Sequence, residues 1–318
     1  MIDYSVFYNY SLGIKDVPTQ IQNCDIFISA FNLSERVQKL FNQVEATSKY
    51  WLIHPEYNFK SDQLPSCNDA VIVTPNNSHE KTQVSDLLQA IGNIQGKRIC
   101  IDITGFMRHV LIFLVASLKF RGVNKFIAIY TEPTFYSKAG DTDFGSTTEI
   151  VRAVDGISCA SNSEFKDHLI INIGYDHKMV SQVAAYKDGA TFHPLFSFPS
   201  LSADMYQQSA IRASKSGDIT QNRDWKIKRK FSPANNPFIT AQVLSDLIYE
   251  LDKSFDSKNN IYLAPISTKA QTLGFAIYWA LEGFERGVTM LLPECISYST
   301  ETSIGLKRLW VYEVELTL

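Results

Sequence analysis

The chain has 318 residues and a mass of 36.0 kDa, with 45% apolar and 20% charged residues. That balance belongs to an ordinary globular protein and excludes a disordered, collagen-like or disulfide-stapled chain. Thirty Lys and Arg against thirty-three Asp and Glu leave a net charge of −3, with a pI near 6.1, which argues against an extended nucleic-acid-binding surface.

Residues 26–31 (IFISAF) are short, apolar and β-branched and read as a buried strand. Behind them Val37, Leu40, Phe41 and Val44 recur at helical spacing, with Ser34 placed as N-cap. YWLIHPEY reads as a strand ended by proline and AVIVTP, at 70–75, as another. The helix that follows carries Val84, Leu87, Leu88 and Ile91 on one face.

The clearest unit is RICIDITGFMRHVLIFLVASLKFRGVNKFIAIYTEP. It holds a strand at 99–103, a turn through Thr104-Gly105, a helix apolar nearly all round that Gly122 ends, and a strand at 126–130. A helix apolar on every side is buried, and strand, helix and strand in that succession specify a parallel crossover.

The same grammar returns twice. LIINIGYDHKMVSQVAAYKDGATFHPLF turns at Gly174-Tyr175-Asp176. IYLAPISTKAQTLGFAIYWALEGFERGVTMLLPECISY turns at Ser267-Thr268-Lys269, with its last strand ending at Pro293. Residues 197–236, polar, proline-containing and bearing KIKRK, read as an insertion or long loop.

The expected fold is therefore α/β, with two Rossmann-like lobes built on mostly parallel sheets. Residues 1–165 form an N-terminal lobe, and residues 166–318 form a C-terminal lobe with an insertion at about 197–236. An internal duplication is one reading; one continuous large sheet with four unrelated crossovers is the other.

Five scattered cysteines without a CxxC pair indicate a reduced, cytoplasmic chain, and six histidines without HExxH give no zinc cluster, so neither metal nor cofactor is expected. The start, MIDYSVFYNY, has neither a basic nor an apolar signal region, and no apolar run approaches the ~20 residues of a membrane helix.

Open parallel sheets hold ligands outside the carboxyl ends of their strands, where strand order reverses. The polar turns follow strand ends, so they share that edge. Asp102, Thr104, Gly105 and Arg108 are the leading candidates: a glycine for close backbone approach, a helix start for phosphate and a guanidinium fork. Ser267, Thr268, Lys269 and Gln271 offer hydroxyls and an ammonium at a second helix start. Ser29, Asn32, Ser34 and Arg36 offer a similar set, and Asp176 with Lys178 ranks lower. The Asp102 and Ser267 sets are equally explained as a helix cap beside a solvated cation, and for Ser34 and Asp176 capping is the favoured reading.

Acidic-Pro-aromatic punctuation recurs where strands end. His54-Pro55-Glu56-Tyr57, Glu132-Pro133 with Tyr136, and Pro293-Glu294 with Tyr298 each bring a carboxylate and a phenol to the same edge. Glu56, Asp102 and Glu132 are the acid/base candidates, and Tyr136 and Tyr298 those for sugar or base. No GxSxG, Walker A or GxGxxG is present. Lys226, Lys228, Arg229 and Lys230, beside Trp225 and Phe231, are the one place for nucleic acid or an acidic partner, though such runs are usually solvated.

The IDITG turn opening a buried helix resembles the strand-then-TGG-type turn of CARF domains, and two such lobes in one chain resemble SAVED domains. Thr104 and Gly105 match that motif, Asp102 stands where those domains often have Asn, and Phe106 replaces the second Gly. The resemblance implies a sensor of cyclic oligonucleotides in prokaryotic antiviral defence, with a ligand pocket shared by the two lobes. With no effector segment evident, it also implies a protein partner. Three functional expectations stand together: a nucleotide or phosphoryl-ligand sensor, a hydrolase or transferase acting on a nucleotide-like substrate in the same cleft, and a non-catalytic subunit of a larger assembly.

Overall fold

The structure, a computed structural model, describes residues 1–66, 69–136, 145–174, 176–202, 205–214, 227–253, 259–298 and 303–317. In chain order, the first part runs β1 (Asn9–Leu12), α1 (Val17–Gln20), β2 (Cys24–Ala30), α2 (Glu35–Gln43), β3 (Ala46–Leu52), β4 (Ala70–Val73), α3 (Glu80–Ile91), β5 (Ile99–Asp102), α4 (Arg108–Phe120), β6 (Lys125–Glu132) and β7 (Phe135–Tyr136). The middle part holds β8 (Gly145–Ala153), β9 (Lys166–Ile173), α5 (His177–Tyr186), β10 (Thr191–Ser197), α6 (Met205–Ser214), β11 (Lys230–Ser232), α7 (Pro237–Lys253), β12 (Asn259–Pro265), α8 (Lys269–Tyr278) and β13 (Thr289–Tyr298). β14 (Ser303–Ile304) and β15 (Arg308–Glu315) follow.

Two compact units share the chain: a first lobe of residues 7–146 and 296–318, and a second of residues 1–6 and 147–295. The division falls there rather than at 165/166 because β8 joins the second sheet beside β13, while β15 pairs with β6 along its whole length, antiparallel, and carries β1 on its other side.

The first sheet has the order β1-β15-β6-β5-β2-β3-β4, the second β11-β10-β9-β12-β13-β8. In the first, every pair from β6 to β4 is parallel. In the second, every pair from β11 to β13 is parallel. Numbered within each lobe, both sets of five parallel strands lie in the order 3-2-1-4-5. A single continuous sheet does not form. Residues 197–236, expected as an insertion or long loop, instead supply α6 and β11, the third strand of the second lobe. β13 also runs on past Pro293 to Tyr298.

The helical periodicity is used as its spacing requires. In the first lobe Val37, Leu40 and Phe41 of α2 are buried with Phe27, Trp51 and Cys100 of three successive strands. Phe41 and Trp51 stack with ring centroids 3.6 Å apart. Burying side chains of this size contributes about 1.5–3 kcal/mol each. Ile28, Ile101 and Ala128, on the alternate positions of their strands, are equally buried, so the sheet is covered on both faces, as parallel sheets are. Among the described residues no helix is long and apolar enough to cross a membrane.

Candidate functional site

In the first lobe the order reverses between β2 and β5, whose connections leave in opposite directions. The backbones there are nearly in contact: a Cβ on Gly105 would stand 2.1 Å from the carbonyl oxygen of Ala30. The expected glycine is thus required, though by the neighbouring strand end.

Asp102 is wholly buried, accepting from Ser29 Oγ at 2.9 Å and from the Thr104 amide at 3.0 Å. Burial pushes its carboxyl above the usual range, against the hydrogen bonds from Thr104 and Ser29 and the charge of Arg36. Thr104 Oγ1 shares a hydrogen bond with Thr131 Oγ1 at 3.0 Å and accepts from the Thr131 amide. Arg36, in the first turn of α2, reaches the end of β6 and donates through Nη1 to the Thr131 carbonyl. Its buried Nε–H has no hydrogen-bond partner among the described residues. Asp102 and Thr104 therefore hold the crevice together, and Arg36 spans it. Ser34 occupies the cap position of α2 without a side-chain cap bond.

Beside the crevice lies a polar chain. The Met107 amide donates to His54 Nε2 at 3.1 Å, and His54 Nδ1 meets Gln83 Oε1 at 2.6 Å. Because Nε2 accepts, His54 Nδ1 carries the proton. Gln83 Nε2 donates to Glu56 Oε1 at 3.2 Å and to the Ser78 carbonyl at 2.9 Å. His109 Nε2, from the first turn of α4, lies 3.1 Å from Glu56 Oε1 and 3.1 Å from the Ser78 carbonyl. Burial alone would raise the Glu56 carboxyl. The His109 hydrogen bond and the neighbouring His54 and His109 imidazoles outweigh it, holding Glu56 below the usual carboxylate range. Arg108, half-buried, stands next to His109 at the same helix start.

Glu132, at the end of β6, is enclosed by the start of β15. Lys307 Nζ lies 2.8 Å from Oε1, Trp310 Nε1 donates to Oε2 at 2.9 Å, and Arg308 Nε stands 3.4 Å from Oε2. Its carboxylate ties β15 to β6. Tyr136 lies in β7.

The second lobe repeats the arrangement between β9 and β12. A Cβ on Gly174, after β9, would stand 2.8 Å from the carbonyl oxygen of Ile266, after β12. Asp176 caps α5, accepting from the amides of Lys178 and Met179. Thr268 caps α8, accepting from the Gln271 amide at 3.2 Å, and donates to the Ala234 carbonyl at 2.6 Å. Ser267 Oγ shares a hydrogen bond with Ser197 Oγ at 3.1 Å, and Ser197 donates to Gln271 Oε1 at 2.7 Å. Asn172, buried at the end of β9, donates to the Leu195 carbonyl, and its Oδ1 has no partner among the described residues. Lys269 stands half-buried at the helix start. Tyr298 ends β13.

Of the basic run, Lys226 lies outside the described residues, as do Trp225 and Tyr175. Lys230 pairs with Glu250 at 3.3 Å, Arg229 sits 6.0 Å from the centre of the Phe196 ring, and Lys228 is half-buried.

The first lobe thus brings Arg36, Asp102, Thr104 and Gly105 together, and the second Ser267, Thr268 and Gln271. His54, Gln83 and His109 were not singled out from the sequence. HPEY marked the turn that carries His54 and Glu56, but nothing in periodicity pairs that turn with the first residues of α3 and α4. Among the described residues no group of three or more His, Cys, Asp or Glu is placed to hold a metal ion. Fold and site together describe a two-lobed α/β protein with a cluster of buried and half-buried polar groups at the switch point of each sheet. No protein family, curated protein or solved structure matches the chain.

Proposed function

We propose that the chain binds a nucleotide or other phosphoryl ligand at the carboxyl edges of its parallel sheets, as a ligand sensor of the CARF/SAVED kind in prokaryotic defence. The observation that carries this reading is the strand order 3-2-1-4-5, present in both lobes. At each reversal a glycine lets two backbones approach beside a helix start bearing a cation, Arg108 in one lobe and Lys269 in the other. Helix starts and guanidinium or ammonium groups are complementary to phosphate. As a ligand sensor it acts through a protein partner. The four described cysteines are free thiols, which supports a reducing, cytoplasmic setting.

Thermal unfolding against ATP, NAD, ADP-ribose, cyclic di-AMP and cyclic tetra-adenylate tests the reading. A ligand at about a hundred times its dissociation constant adds about 2.7 kcal/mol. Arg108→Ala or Lys269→Ala then weakens binding while the unliganded variant still folds. Absence of any shift across the panel, or two variants that bind as the parent does, refutes it.

A further inference from the structure

Glu56 and His109 form a couple with a defined proton arrangement. Glu56 is buried and ionised, so the imidazole nitrogen facing it, Nε2, carries the hydrogen and donates to Oε1 and to the Ser78 carbonyl. The other nitrogen, Nδ1, has no hydrogen bond among the described residues, and the His109 side chain is 13% exposed. Gln83 and His54 fix the far side of Glu56, and the Met107 amide fixes His54. A carboxylate that holds one ring nitrogen of a histidine leaves the other as a proton acceptor of fixed direction. His109 follows Arg108 in the first turn of α4.

We propose that His109, positioned by Glu56, is the general base of a hydrolytic site in the first lobe, and that its substrate is a nucleotide phosphoanhydride. This rests on the phosphoryl-ligand reading above. Water gives a proton to His109 Nδ1 as its oxygen bonds to phosphorus. The bond from phosphorus to the bridging oxygen breaks, and its electron pair leaves with that oxygen. The proton then passes from Nδ1 to solvent.

The substrate class is one whose leaving group needs no acid, because the carboxylates considered as acid partners are enclosed or bridged. Asp102 is wholly buried, Glu80 is wholly buried at the start of α3, and Glu132 is bridged by Lys307 and Trp310. A phosphate or nucleotide leaving group departs without being protonated, whereas the alkoxide of a phosphodiester does not.

The test incubates the full-length protein with ATP, NAD and ADP-ribose, and with cyclic di-AMP as the diester, in ¹⁸O-water. Products are separated by anion exchange and binding is measured in parallel. Hydrolysis of an anhydride, with one ¹⁸O in the released phosphate group, is expected; cyclic di-AMP stays intact. His109→Gln lowers kcat about a hundredfold or more, the usual range for a general base, and Glu56→Gln lowers it as well, each with the dissociation constant unchanged. His109→Ala regains turnover when imidazole is added, which a merely structural histidine does not show. Binding without turnover, or turnover that His109→Gln leaves intact, overturns this inference and leaves the binding reading standing. Cleavage of the diester alone overturns the substrate class. No binding by any probe overturns both.

Discussion

Gly105→Ala isolates the backbone contact on which the first crevice depends. The added methyl would lie 2.1 Å from the Ala30 carbonyl oxygen, 3.1 Å from its carbonyl carbon and 3.4 Å from Asn32 Nδ2. An ordinary contact begins near 3.4 Å, so the ends of β2 and β5 must separate by more than an ångström. Neither neighbour at the close distances is a flexible side chain. Overpacking of a dense interior costs about 1–3 kcal/mol, and a clash with backbone belongs at the upper end, about 3 kcal/mol. In a unit of this size 1 kcal/mol moves the midpoint by about 2–4 °C, so a loss of about 6–12 °C is expected for the transition of the first lobe. Gly96→Ala is the control. Gly96 has φ +67° with nothing within 4 Å of the methyl that an alanine would add, and the left-handed backbone alone costs an alanine about 1–2 kcal/mol. Far-UV circular dichroism during heating reads both. If Gly105→Ala melts no earlier than Gly96→Ala, the two strand ends are not in contact and the crevice between them is open.

Further outcomes follow from the buried titratable groups. Burial raises the Asp102 carboxyl in the folded chain, so the native state binds its proton more tightly than the unfolded state does. The resulting destabilisation is absent below the unfolded pKa near 3.8 and grows as pH rises through the folded value. Asp102→Asn should therefore melt above the parent at neutral pH, with the gap closing toward about pH 4; each tenfold difference in proton affinity is worth about 1.4 kcal/mol. His168 behaves oppositely in charge. Its Nδ1 lies 2.9 Å from His193 Nε2, and burial first, then Lys228 and Lys166, lower its pKa against Asn259 and Asp167. Stability is full above the unfolded pKa of 6.5 and falls as pH drops below it. A melt series from about pH 8 to about pH 5 shows that loss, and His168→Gln flattens it; an equally steep decline in the variant assigns the effect elsewhere.

Much of the fold was legible because it rests on local signals. β2, β5 and β6 are apolar runs, and α4 is buried around its circumference, so periodicity and burial agree there. β11 was not legible. It has three residues, too few to display alternation, and lies beside the basic run. β15 (RLWVYEVE) has a clear strand pattern, but its pairing with β6, more than 170 residues earlier in the sequence, is set by topology. The site divided along the same line. Gly105 and Thr268 follow strand ends directly, so their places could be read. Asp102 and Glu132 read as free carboxylates only because a sequence does not display Ser29 or Trp310 beside them. His109 was hidden inside a helix whose apolar neighbours dominate the pattern.

The pairing of β15 between β1 and β6 also orders events during synthesis. Among the described residues β1 has no other strand partner, and β6 is an edge until β15 arrives. The first lobe therefore cannot close on the ribosome until residues beyond 308 have emerged, whereas residues 147–295 can assemble the second sheet earlier. Although most of the first lobe precedes the second in the sequence, the first lobe's sheet is the one completed last. Through most of synthesis its exposed β6 edge is the segment in need of shelter.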